Sequence, residues 1–229
     1  MLWMYIIIAF FVSCYSYVMN IGSTGLLFPY TLGALAYIKH VIKPANYSLT
    51  GVSGGAWCSI LYHLEPDIQD PELLWSILVG DDRKINLLSR RSMQEFQESV
   101  AIHCKKRYSN TNITNIPISI VTTKLDGLKL KRQIIDKFEN VDDLINYSLC
   151  SSYIPFISGK GLYMKYKGDK LLDGEITRDK CLGNCINSRS WGRKYSLKQK
   201  ILLDKTSTIQ LFQYGWQDAS QNAENYLRI

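Results

Sequence analysis

The chain has 229 residues, 46% of them hydrophobic and 21% charged, with a net charge of +7. That length buries a sizeable core, and that balance excludes a disordered chain. No internal repeat or low-complexity tract is present, which excludes a solenoid and leaves a single folded domain as the expectation.

Residues 1–14 form an apolar run, Met1 to Cys14, with no lysine or arginine ahead of it. The run is short for a membrane span, which needs about 20 residues. It reads as a signal peptide or short anchor ahead of a domain at 15–229, with a cytosolic protein whose apolar N-terminus packs on the sheet as the alternative. Strand-like runs follow at Ser16–Ile21, Ser48–Val52, Ile116–Thr123, Leu128–Gln133, Leu162–Tyr166, Lys170–Leu172, Lys200–Leu203 and Thr208–Gln213. Helix-like stretches at Leu26–Val41, Gly54–His63, Pro71–Leu78, Ser92–Arg107 and Val141–Ser148 alternate with them. The alternation predicts an α/β fold, a three-layer α/β/α sandwich with a mostly parallel central sheet.

Gly51-Val52-Ser53-Gly54-Gly55 stands where a strand-like run gives way to a helix. A serine at the apex of a tight strand-to-helix turn needs small neighbours, and the start of the helix favours a developing negative charge. Ser53 is therefore the candidate nucleophile, and it needs a base. The three histidines are His40, His63 and His103, so none occupies the late position that the order Ser, Asp/Glu, His requires. His63 is also roughly three turns along the same helix, too far to reach the hydroxyl. A carboxylate shielded from water can take that role, because burial raises its proton affinity. Asp173, in Lys170-Leu171-Leu172-Asp173-Gly174-Glu175, ends a strand-like run where α/β active sites collect.

Three segments in order carry a family resemblance: Asn20-Ile21-Gly22-Ser23-Thr24-Gly25 ahead of a helix, Thr50-Gly51-Val52-Ser53-Gly54-Gly55-Ala56-Trp57, and the stretch from Cys150-Ser151-Ser152-Tyr153-Ile154-Pro155-Phe156 to Asp173-Gly174-Glu175. Together they resemble the patatin-like phospholipases over residues 15–180, and the second is also similar to the elbow of group IV cytosolic phospholipases and lysophospholipases. The resemblance implies a lipid acyl hydrolase with a Ser53–Asp173 dyad and no metal or organic cofactor. Its oxyanion donors would be the backbone amides of Gly22, Ser23, Thr24 and Gly25, joined by Gly54. The first segment departs from the family's G-G-G-x-R/K-G, with Ser23 and Thr24 among the glycines, Leu27 where a basic residue is frequent and Phe28 for the last glycine. The third reads D-G-E without the following Asn-x-Pro. A catalytically inactive lipid- or membrane-binding relative is the alternative expectation, and a hydrolase using His63 or His103 is a third.

Between Lys160 and Lys205 twelve Lys/Arg face five Asp/Glu, interleaved with Tyr163, Tyr166, Trp191 and Tyr195. This flank suits an anionic membrane surface. No helix-turn-helix, zinc-finger or RNA-recognition signature accompanies it, so nucleic acid is not the expected partner. Cys181 and Cys185 lack a second Cys/His pair at finger spacing, and structural zinc is not expected. Asn46, Asn112 and Asn146 head N-x-S/T sequons compatible with a secretory route.

Overall fold

The structure, a computed structural model, describes residues 17–80, 83–177 and 185–227. The apolar run at 1–14 and Cys181 lie outside them. In chain order, β1 (Tyr17–Ile21) leads through a single 3-10 turn into α1 (Phe28–Tyr37), whose end widens into a π-turn at Ile38–Ile42 and stops at Lys43 in the left-handed conformation. Next come β2 (Tyr47–Val52), α2 (Gly54–Leu64), α3 (Pro71–Leu78), β3 (Ile85–Asn86) and α4 (Arg90–Tyr108). The hairpin of β4 (Ile118–Asp126) and β5 (Lys129–Ile135) precedes α5 (Val141–Ser151), and β6 (Met164–Tyr166) and β7 (Asp169–Asp173) form a second hairpin. The chain closes with β8 (Cys185–Ile186), α6 (Leu197–Ile201), β9 (Leu202–Leu203) and α7 (Lys205–Leu227).

Helix starts follow local side-chain chemistry. Asp70 accepts hydrogen bonds from the amides of Glu72 and Leu73, with Pro71 at the first helical position. Ser89 and Asn140 cap α4 and α5 in the same way. Ser196 and Gln199 form a reciprocal capping box on α6.

The central sheet is parallel through β8, β1, β2 and β4, with the hairpin strands added antiparallel beside β4. Helices cover it: α2 packs on β1, β2 and β4, and α5 on β4, β6 and β7, which makes the mixed α/β sandwich expected from the alternation. Ile118, Ile120, Val121, Thr122 and Thr123 of β4 are all buried, as a strand covered on both faces requires.

One register sets up the site. Ile120 and Val121 pair with both β2 and β5, whereas Thr122 to Lys124 pair with both β5 and β7. A strand has two edges, so β2 and β7 share the edge of β4 opposite β5 and meet end to end. Val52 lies beside Val121, and Asp173 beside Thr122.

The C-terminal region departs from the sequence reading. Thr208–Gln213, expected as a strand, lies inside α7, and the run at Lys200–Leu203 divides between α6 and β9. Thr208, Leu211, Phe212, Asp218, Ala219 and Ala223 are buried at helical spacing, and α7 lies along α1. Gly33 and Gly215 allow that approach, because a Cβ on either would collide with the facing backbone at Phe212 or Tyr30. Gly25–Ile42 is long and apolar enough to cross a membrane, but 67% of it is buried against the rest of the protein. Its apolarity is used in the core.

Candidate active site

Ser53 sits between β2 and α2 at φ 54°, ψ −125°, a conformation that non-glycine residues rarely adopt. The turn is held open by a relay: the Ser53 amide donates to Ser151 Oγ at 2.9 Å, and that hydroxyl donates to the Val121 carbonyl at 2.6 Å. Ser151, at the end of α5, therefore ties the elbow to the central strand.

Because β2 and β7 abut along β4, the residue after one meets the last residue of the other. Ser53 Oγ donates to Asp173 Oδ2 at 2.6 Å, with the two residues only 5% and 3% exposed. The second carboxylate oxygen accepts from the Glu175 amide at 2.8 Å. The Asp173 amide donates to Tyr153 O at 2.9 Å, and Thr123 Oγ1 donates to Asp173 O at 2.9 Å, so the backbone of the acid is fixed on both sides. Burial pushes the Asp173 carboxyl up to about 6, against the opposing pull of the Ser53 and Glu175 hydrogen bonds. Such a carboxyl is ionised at neutral pH and still basic enough to accept a proton.

The histidines are elsewhere. His63 stacks on Tyr47, ring centroids 5.7 Å apart, and burial pushes its imidazole down to about 4. His103 lies against Gly80, and among the described residues no histidine hydrogen-bonds to Ser53.

The 22–25 loop lies directly on the elbow: a Cβ on Gly54 would stand 2.5 Å from Thr24 Oγ1 and 3.4 Å from the Gly25 amide nitrogen. One expected donor is spent. The Gly22 amide donates to Ile186 O of β8 at 3.0 Å, because β1 continues its ladder one residue further, and it is not free to bind an oxyanion. Among the described residues, the Ser23 and Thr24 amides have no hydrogen-bond partner, and Gly25 and Gly54 open helical turns, where the first amides lack an intrahelical acceptor. Thr24 Oγ1 is likewise buried without a partner.

An apolar cleft with about 560 Å³ of free space, its open mouth included, is lined in part by Ser53 and Gly54. Its far wall comes from Met93, Phe96 and Val100 on one face of α4, with Phe28 stacked on Phe96 at 6.0 Å. Ser151 and this wall were not singled out in the sequence. The spacing of Met93, Phe96 and Val100 marks an apolar helix face, but nothing in it says that the face borders a cavity. Nothing distinguishes Ser151 from its neighbour Ser152.

Among the described residues, no three His, Cys, Asp or Glu side chains group to hold a metal ion. The aromatic residues of the basic flank turn mostly inward: Tyr166 packs edge-on against Tyr147, and Trp191 and Tyr195 pack on Tyr30. Asn146 is half-buried, accepting from Lys105 Nζ and donating to Tyr166 Oη, so its amide is committed within the fold.

No protein-family model matches the chain, and no curated protein matches its sequence. Among solved structures it is similar to one from the heterodimeric ExoU–SpcU complex of the type III secretion system of Pseudomonas aeruginosa. The TM-score is 0.41 and the identity 13%, over 93% of this chain and 52% of that one. The chain thus spans about half the length of that structure's chain.

Proposed function

We propose that the chain is a serine-dependent lipid acyl hydrolase of the patatin-like type, with phospholipids or related lipid esters as substrates. The observation that carries this reading is the buried 2.6 Å hydrogen bond from Ser53 to Asp173 beside an apolar cleft that Ser53 lines. Ser53 attacks the ester carbonyl while Asp173 accepts its proton. The oxyanion is held by amides from Ser23, Thr24, Gly25 and Gly54. Asp173 then protonates the leaving alcohol; a water molecule, deprotonated by Asp173 in turn, attacks the acyl carbonyl, and Asp173 returns that proton to Ser53 Oγ as the acid leaves. The acyl chain lies against Phe28, Met93, Phe96 and Val100, where its burial contributes about 0.8 kcal/mol per methylene.

A second reading, a lipid-binding protein without turnover, is favoured by the engaged Gly22 amide, since each missing oxyanion donor costs about 2.7–4 kcal/mol of transition-state stabilisation. Labelling with a fluorophosphonate probe, together with fatty-acid release from phospholipid vesicles, separates the two. Labelling and release that both disappear in Ser53→Ala and Asp173→Asn support the dyad hydrolase. A folded parent chain that neither labels nor releases fatty acid refutes it.

A further inference from the structure

We infer that the loop between α5 and β6 docks the protein on a bilayer containing anionic lipid, inserting Phe156 and Leu162 while Lys160 and Lys165 engage the headgroups. This surface rests on the lipid-hydrolase reading and gives it a membrane-facing side. The loop leaves the site itself: Ser152 and Ile154 line the cleft, and the Tyr153 carbonyl holds the Asp173 amide. Two residues beyond Ile154, Phe156 is 59% exposed, and its φ of 63° is a conformation disfavoured for a bulky side chain. Leu162 is 56% exposed.

The loop is stiff enough to hold these side chains out. Tyr153 Oη donates to Gly161 O at 2.9 Å and accepts from the Gly161 amide at 3.2 Å, closing the loop at its base. Inside it, Ser158 Oγ accepts from the Ile154 amide and donates to Ser152 O, while the Ile157 and Ser158 amides donate to Ile154 O. An aromatic ring held more than half in solvent by a strained backbone, on a cinched loop, gains little from packing within the fold. It gains from an apolar phase outside.

Charge selects that phase. From Ser152 to Gly168 the chain has three lysines and no acidic residue. Lys167 is paired with Glu139 and Asp143, whereas Lys160 and Lys165 are exposed and have no ion-pair partner among the described residues. Apolar side chains flanked by unpaired cations match an anionic bilayer surface. Because Ser152 and Ile154 of this segment line the same cleft as Ser53, insertion brings the lipid phase close to that cleft.

The test uses the full chain carrying Ser53→Ala, so that partition onto vesicles is read without turnover and its failure is separate from failure of the hydrolase reading. Sedimentation with phosphatidylcholine vesicles, with and without phosphatidylserine, is the measurement. Phe156→Gly is expected to weaken partition roughly tenfold. Its thermal midpoint should not fall, because glycine relieves the positive φ. Phe156→Leu should retain partition. Lys160→Gln and Lys165→Gln should each reduce the preference for phosphatidylserine roughly fivefold. Unchanged partition in Phe156→Gly, an unchanged lipid preference in the lysine variants, or a parent chain that binds neither vesicle would overturn the proposal.

Discussion

Replacing Asp173 with asparagine should remove turnover and yet stabilise the fold at neutral pH. The carboxyl is held at about 6 against an ordinary 3.8, chiefly by burial. The folded chain therefore binds the Asp173 proton more tightly than the unfolded chain does. Stability is highest with the group protonated, and it falls as pH rises from about 4 to about 6, after which the loss is complete. At 1.36 kcal/mol per unit, the ionised carboxylate costs about 3 kcal/mol at neutral pH. Asparagine avoids that cost and keeps both contacts. Its carbonyl oxygen accepts from the Glu175 amide, and its NH2 donates to a rotated Ser53 hydroxyl, in place of the two present bonds. Urea unfolding of parent and variant across this pH range is the assay, since subtracting the two curves cancels every other titrating group. The difference should be near zero at about pH 4 and approach about 3 kcal/mol in favour of the variant above pH 6. A difference that does not change with pH, or a variant less stable than the parent at neutral pH, would refute the argument from a desolvated carboxylate.

The same carboxyl sets the rate profile: kcat/KM for a soluble ester should fall about tenfold per pH unit below pH 6, and a profile flat down to pH 5 would exclude Asp173 as the base. Ser151→Ala should strand the Ser53 amide and loosen the elbow, costing about 1–3 kcal/mol in urea unfolding and lowering kcat more than it changes KM. Arg193→Met should leave Asp218, which Arg193 and Tyr30 together hold ionised against the upward push of burial, without its cation. Because Asp218 is buried but Arg193 is only half-buried, a loss of about 1.5–3 kcal/mol is expected, with partial recovery in the double variant Arg193→Met/Asp218→Asn.

Local chemistry made part of this protein legible in its amino-acid order. The glycines around Ser53 announce a tight turn because only small residues fit there, and the helix starts expected at Pro71 and Val141 are found where Asp70 and Asn140 accept from amides two or three residues on. The central strands and α1 to α5 follow from apolar runs and periodicities that each segment carries within itself. Tertiary structure decided the rest. Ser53 and Asp173 are 120 positions apart, and they meet because β2 and β7 share one edge of β4, a register that no local pattern encodes. Thr208–Gln213 carries enough β-branched and aromatic character to read as a strand, but burial of Leu211, Phe212, Ala219 and Ala223 against α1 rewards a helix instead. Gly22 resembles an oxyanion donor in sequence, but its amide is taken by β8, a two-residue strand too short to leave a periodic signal. Side-chain identity thus supplies the reactive groups. Their partners are chosen by non-local backbone pairing, whose energy comes from long-range burial.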